Sequence, residues 1–171
     1  GQIGTNALAR PNNTIILTDE LVNLAQDDHE IIGVLAHEQG HLVERHSLQQ
    51  ALSSLGFSVL LIAVTGDSSA LFTTLPVALV GASYSRNFES DADLYAMQVL
   101  DKNHISSLHL ANFLARMEAD ARAEEEEKRP QGKSEEEEED GGIGSFFQSH
   151  PATQERIAAI RQFNQQQRLS N

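Results

Sequence analysis

Three residues in this chain have the types and spacing for hydrolytic chemistry: His37, Glu38 and His41, in the run His37-Glu38-Gln39-Gly40-His41. The pattern is H-E-x-x-H. On an α-helix, positions i and i+4 share a face, so both imidazoles can offer a nitrogen to one metal ion at about 2.0–2.1 Å. Glu38, one residue on, flanks that ion, where a general base for an attacking water belongs. Two histidines leave a catalytic zinc short of a third protein ligand, and a further position must stay open for water. The chain has no cysteine, so the third ligand must be a carboxylate or another histidine. Glu89 and Asp93 stand out, because they too are i and i+4. In one reading Glu89 binds the metal and Asp93 accepts the other N–H of a metal-bound imidazole, as carboxylates commonly do. In the other they line a solvated acidic helix face, which on spacing alone is the simpler account.

Elements must hold these groups, and the length allows it: 171 residues, 40% hydrophobic, suffice for one domain with a core. We read residues 1–171 as that single domain. The absence of cysteine excludes a disulfide framework. The net charge is −13, of which −8 falls between Glu118 and Asp140, with 12 acids against 4 bases. This stretch is an acidic low-complexity insert at about 118–142, expected to be a solvated loop because it has little apolar surface to bury. Such a balance argues against a nucleic-acid partner, which needs a basic surface. The chain opens at Gly1 without Met or a signal-like segment and reads as an excised or processed domain. Leu55 to Val64 is too short to span a bilayer, and Gly66-Asp67-Ser68-Ser69 separates it from the apolar run Ala70 to Gly81. The two halves read as a buried hairpin in preference to a membrane-facing one.

Taken in order, Asn6 to Arg10 and Thr14 to Thr18 read as strands joined by Pro11-Asn12-Asn13. An extended peptide could pair with the open edge of this hairpin; an ordinary sheet strand explains it equally well. Asp19 to Gln26 is a short helix with Leu21, Val22 and Ala25 inward. Asp27 can cap the next helix, with Glu30 completing a capping box. That helix carries the H-E-x-x-H run. It is expected to pass Glu44, toward Ala51, with a core stripe of Ile31, Leu35 and Leu42. Gly33 and Gly40 imply a close neighbour, at Gly40 either substrate or the edge strand. Leu48 to Val64 and Ala70 to Val80 read as apolar helices. Ser85 to Leu100 follows, with Phe88, Ala92, Tyr95 and Val99 as its stripe and Asn103 as its stop. Ser106 or Ser107 caps a helix through Phe113, Leu114 and Met117. Thr153 caps the last helix, bearing Ile157, Ile160 and Phe163.

Several runs then resemble a known family. These are Asn6-Ala7-Leu8-Ala9-Arg10-Pro11, Leu35-Ala36-His37-Glu38-Gln39-Gly40-His41, Ser85-Arg86-Asn87-Phe88-Glu89-Ser90-Asp91-Ala92-Asp93 and Ser149-His150-Pro151-Ala152-Thr153-Gln154-Glu155-Arg156-Ile157. In that order they resemble the motifs of the HtpX-like and CAAX-prenyl-protease-like zinc metallopeptidases of the gluzincin group, closest to the BepA-like bacterial members. Gln39 departs from the pattern, where an apolar residue is usual.

The resemblance implies an α+β, mainly α, zincin-like catalytic domain with a small sheet or hairpin over the zinc helix. It implies one Zn²⁺ per chain, held by His37, His41 and Glu89, with Glu38 as the acid/base and Asp93 behind His37. His150 would approach the site from the far end of the chain, either stabilising the oxyanion or closing the zinc's open position. Arg156 would orient that segment or pair with a substrate carboxylate, a helix-surface salt bridge being an equal alternative. Asn6 and Ala7 would belong to the substrate-pairing edge strand. His29, His46, His104 and His109 fit no motif and read as structural. The implied function is a zinc endopeptidase acting on unfolded or misfolded polypeptides, in the cell envelope, periplasmic or membrane-associated, with a peripheral or membrane-anchored parent. The alternative is a latent, metal-bound chaperone or interaction module with His150 on the metal. The oligomeric state is not legible.

Overall fold

The computed structural model describes residues 5–10, 12–66, 86–128, 146, 150–151 and 154–170. Strands β1 (Ala7–Arg10) and β2 (Thr14–Leu17) form an antiparallel hairpin, with Ala7 opposite Leu17 and Arg10 opposite Thr14. Asn13 turns the chain at φ 60°, a left-handed conformation Asn tolerates, and its N–H reaches the Arg10 carbonyl at 3.1 Å. Thr18 caps α1 (Asp19–Leu24), its Oγ1 accepting from the Leu21 N–H. The same oxygen accepts from the Asn6 N–H at 2.8 Å and so fastens the start of β1. Leu21 is fully buried, whereas Val22, expected inward, is 41% exposed. A six-residue helix turns only one narrow stripe to the core, and Val22 lies about 100° away from it.

Asp27 caps α2 (Asp28–Val43), accepting from the N–H groups of His29 and Glu30. Glu30 does not close a box with Asp27. Its carboxylate accepts from the Gln26 N–H at 2.8 Å and takes both amino nitrogens of Arg116. This two-pronged ion pair ties the start of α2 to α5 (Leu108–Lys128). Helix α2 ends sooner than expected. Arg45 stands at φ 55° in the left-handed region, and α3 (His46–Thr65) leaves in a new direction. Apolar periodicity continues across the break, so a left-handed arginine leaves no mark in the sequence pattern. Helix α3 also leaves Leu48, Leu52, Val59, Leu60 and Val64 exposed, against the expected burial. Among the described residues no helix is long and apolar enough to cross a membrane. The Ala70 to Val80 segment, Ser85 and Thr153 lie outside the described residues.

The largest helix contact is between α2 and α4 (Arg86–Lys102), and α2 also packs on α5 and β1. The buried face of α2 is not the aliphatic one. Gly33, Ala36, His37, Gly40 and His41 point inward, while Ile31, Leu35 and Leu42 are half-buried. Small residues allow this. A Cβ at Gly40 would meet the α4 backbone, 2.9 Å from Ala92 Cα, and one at Gly33 would lie 3.1 Å from Leu110 Cβ. The neighbour at Gly40 is therefore α4, rather than substrate or the edge strand. Helix α4 is rotated correspondingly: Glu89, Ala92, Asp93, Ala96, Met97 and Leu100 are buried, and Phe88, Tyr95 and Val99 are half-buried. The core closes with Phe113, Leu114 and Met117 of α5 and Ile157 and Ile160 of α6 (Gln154–Ser170). His104, at φ 58°, supplies the left-handed stop after α4, next to the expected Asn103.

Helix α5 runs on through Lys128 and so takes in residues 118–128 of the acidic insert, which were expected to be loop. Ala, Glu, Arg and Lys are good helix formers, and an i,i+4 pair joins Arg122 to Glu118. Residues 129–142 lie outside the described residues.

The backbone contact at Gly40 makes a prediction. Gly40→Ala forces α2 and α4 apart and should cost roughly 1–3 kcal/mol, the usual range for overpacking. A Cβ at Gly33 would come no nearer than 3.1 Å to Leu110 Cβ and 3.4 Å to its Cα, so Gly33→Ala should cost less. Denaturant unfolding of both variants checks the order.

Candidate metal centre

Helix α2 delivers His37, Glu38 and His41 to the interior, α4 delivers Glu89 and Asp93, and the segment before α6 delivers His150; all six are buried. Capping and glycine packing fix the α2 face, and the rotation of α4 turns its carboxylates toward it. His37 Nε2 and His41 Nε2 are 3.1 Å apart. Glu89 bridges them, with Oε2 at 3.5 Å from His37 Nε2 and Oε1 at 3.3 Å from His41 Nε2. His150 Nδ1 lies 3.2 Å from Glu89 Oε1. One donor atom from each of these four residues lies within 4.8 Å of all the others.

This donor set fits a metal ion. Around a tetrahedral ion with bonds of about 2.0–2.1 Å, neighbouring ligand atoms stand about 3.3–3.4 Å apart, close to the separations found here. Three imidazole nitrogens and a carboxylate oxygen, with no thiolate, suit zinc among the common ions. The outer nitrogens are already engaged. His37 Nδ1 donates to Asp93 Oδ1 at 2.9 Å, and His41 Nδ1 lies 2.9 Å from His46 Nδ1. Both Glu38 oxygens are buried without an aligned hydrogen bond, and His150 Nε2 stands 3.3 Å from Oε1. A carboxylate is costly to bury in that state, and a cation with water beside it would answer the need.

Arg156 holds the carboxylates in place. Its Nε and Nη2 donate to Asp93 Oδ2 at 2.6 Å and Oδ1 at 2.8 Å, and Nη1 lies 2.6 Å from Glu89 Oε2. Nη1 also donates to the Pro151 carbonyl at 2.8 Å, which ties α6 to the His150 segment. The guanidinium is buried, so the surface salt bridge is replaced by an internal clamp.

These contacts set the protonation states. Burial alone would push His37 down, but hydrogen bonds to Asp93 and Glu89 outweigh it and lift its pKa to about 9. Burial pushes His41 down to about 3, with His37 and His150 adding to the effect and Glu89 opposing it. Glu89 is held far below the carboxylate range: burial would raise it, but hydrogen bonds from His150, His37 and His41 dominate. Asp93 is lowered in the same way, against burial, by Arg156 and His37. Burial also lowers His46.

The structure brings together His37, Glu38, His41, Glu89, Asp93, His150 and Arg156. Asn6 and Ala7 are buried at the start of β1, in a sheet whose order is β1-β2, so one edge of β1 carries no strand among the described residues. His46, read from the sequence as structural, is buried against His41, a contact its spacing does not predict. Five residues on from His41 is about 140° round a continuous helix, and only the turn at Arg45 brings the two rings together. His29 and His109 stack at the starts of α2 and α5, away from the centre, with ring centroids 4.9 Å apart. Two clefts flank the site. One of about 380 Å³ is lined by Arg86, Glu89, Asp93, Met97, Pro151 and Arg156, and one of about 360 Å³ by Asn13, His41, Leu42, Arg45 and Leu48.

Comparison with known proteins identifies the family. Residues 2–164 match the model of Peptidase family M48. The chain is similar to the metalloprotease YcaL of Escherichia coli, 29% identical over 91% of this chain and 57% of that protein. It is similar to the metalloprotease LoiP of Escherichia coli, 28% identical over the same shares. It is also 28% identical to the beta-barrel assembly-enhancing protease of Yersinia pestis, over 68% of this chain and 27% of that one. The chain thus spans little more than half the length of YcaL and LoiP.

Two predictions come from the geometry. Arg156→Met leaves two buried carboxylates with His37 in place of the guanidinium that clamps both, and should cost roughly 3–5 kcal/mol in chelator-treated protein, read by denaturant unfolding. The cost should shrink when Asp93→Asn is combined with it. The second prediction concerns protons. With a folded pKa of about 9, above its ordinary 6.5, His37 is protonated at pH 7.5 when no metal is bound. Its contribution to stability is then full below pH 6.5 and lost as pH rises through 9. Metal must displace that proton, so loading at pH 7.5 should release about one proton from His37. Calorimetry in two buffers of different ionisation enthalpy measures it.

Proposed function

Because the chain belongs to peptidase family M48, we propose that it is a zinc-dependent endopeptidase whose metal is held, one per chain, by His37, His41 and Glu89. The observation that carries this reading is the buried four-donor group with the Glu38 carboxylate beside it. When bound, zinc supplies Lewis-acid chemistry, polarising the scissile carbonyl and acidifying water. The chain's own residues do the rest. Glu38 takes a proton from the attacking water as its oxygen adds to the carbonyl carbon. Glu38 then passes the proton to the amine nitrogen as the C–N bond breaks. Asp93 fixes the His37 ring through Nδ1, so that Nε2 faces the metal. Arg156 neutralises the carboxylate pair from behind.

His150 closes the site. A catalytic zinc takes three protein ligands and keeps one position for water; His150 would fill that position as a fourth ligand, and the enzyme would be latent while it stays there. The oxyanion role for His150 belongs to the opened state. Substrates are extended polypeptide, consistent with an edge of β1 that carries no strand among the described residues and with the two clefts that reach Glu89 and His41. Unfolded or misfolded envelope proteins are the proposed class; one relative is named a beta-barrel assembly-enhancing protease. The latent chaperone or interaction module is the second reading, and the contact of His150 with Glu38 and Glu89 is what favours it.

Cleavage of an unfolded protein, assayed beside zinc content, separates these readings. Glu38→Gln should abolish cleavage and keep about one zinc per chain, since Glu38 is not a ligand. Glu89→Ala should lose metal. His150→Ala should raise cleavage if the residue closes the site. It should lower it by about 10²–10³ if the residue serves only the oxyanion. A zinc-loaded His150→Ala protein that cleaves nothing would leave the interaction module.

A further inference from the structure

We infer that His46 is a positioning residue for the metal centre: its Nδ1 accepts the Nδ1–H of His41 and thereby fixes which nitrogen of His41 faces the metal. The inference rests on the reading of His41 as a ligand. A ligating imidazole that binds through Nε2 carries its proton on Nδ1, and that N–H needs an acceptor. His37 finds one in Asp93 at 2.9 Å; His41 finds a second imidazole, also at 2.9 Å. The two ligands are therefore held differently, one by an anion and one by a neutral acceptor. An anion strengthens the donor power of the imidazole that it holds, and a neutral acceptor orients without adding charge. With Glu38, Glu89 and Asp93 already buried at this centre, a fourth carboxylate behind His41 would add a further desolvated anion.

His46 is itself fixed on two sides. Its ring lies flat on Phe88 of α4, with centroids 4.3 Å apart and planes 13° from parallel. Its backbone position is set by the left-handed Arg45, without which the ring would point about 140° away from His41. A bulky residue held at positive φ is uncommon and unfavourable, so the surrounding structure must sustain it. Burial of His46 at 1% exposure and its contact with His41 are what the turn achieves.

The test uses the full chain, zinc as the probe, chelator competition for affinity and thermal unfolding of the chelator-treated protein for stability. In His46→Asn, Oδ1 comes where Nδ1 stood and restores an acceptor, but the ring on Phe88 is lost. In His46→Leu, bulk is kept and the acceptor is lost. The expected result is that His46→Leu loses about 10- to 100-fold in zinc affinity, the usual loss for a residue that orients a ligand. His46→Asn should keep most of the affinity while melting lower than the parent. If His46 only packs, the order inverts, or all three chains bind zinc alike, and the inference is overturned. A parent chain that takes up no zinc overturns this reading and the proposed function together. One measurement needs no variant. Nitrogen-15 NMR of the zinc-loaded parent should show coupling across the hydrogen bond between His41 Nδ1 and His46 Nδ1, and its absence would count against the assignment.

Discussion

Burial of two carboxylates is the constraint on which the centre depends. Glu89 and Asp93 are almost wholly withdrawn from water, and an unpaired buried anion would cost several kcal/mol. Asp93 is matched by groups from two other parts of the chain and Glu89 by groups from three. Asp93 faces His37 and Arg156; Glu89 faces His37, His41, His150 and Arg156. The carboxylates therefore decide where α2, the His150 segment and α6 must sit relative to α4. Arg156 suits the task because its planar fork meets both oxygens of Asp93 and still reaches Glu89 and the Pro151 carbonyl.

Close packing of α2 on α4 is the second requirement, and glycine meets it. Imidazoles are short, so ligands from two helices converge only if the helix axes approach. Gly40, between His37 and His41, lets the α4 backbone come to within 2.9 Å of where its Cβ would be. The helix gives up about 1 kcal/mol of propensity for this. It gives up aliphatic burial as well, since Ile31, Leu35 and Leu42 stay half-exposed while histidines take the inner face. The start of α2 is secured separately, by the Asp27 cap and by the Glu30–Arg116 pair. Stability lost at the site is thus offset outside it.

His150 links the buried carboxylates to the terminal helix. Its imidazole reaches both Glu89 and Glu38, and its segment is fastened through Pro151 to the same arginine that clamps the carboxylates. Any shift of α6 must therefore act on Arg156, Pro151 and His150 together. The coupling is local and made of hydrogen bonds and ion pairs.

The sequence by itself determined whatever depends on residue type and short spacing. His37, Glu38 and His41 share a helix face because four residues make about one turn. The cap at Asp27, the Asn13 hairpin turn and the apolar face of α5 at Phe113, Leu114 and Met117 follow from equally local rules. Glu89 and Asp93 were legible as a pair, but their role came from motif resemblance, since an acidic i,i+4 pair usually faces solvent. Only the tertiary structure decided what depends on contacts between distant parts of the chain. It turned α4 so that its carboxylates face inward, made Arg156 an internal clamp, and ended α2 at a left-handed Arg45 that sets His46 behind His41. It also extended α5 into the acidic insert as far as Lys128. The physical reason is the same in each case. Periodicity records which face of an element is apolar, but burial of charge is licensed by partners 50 or more residues away, such as Asp93 for His37 and Arg156 for Asp93.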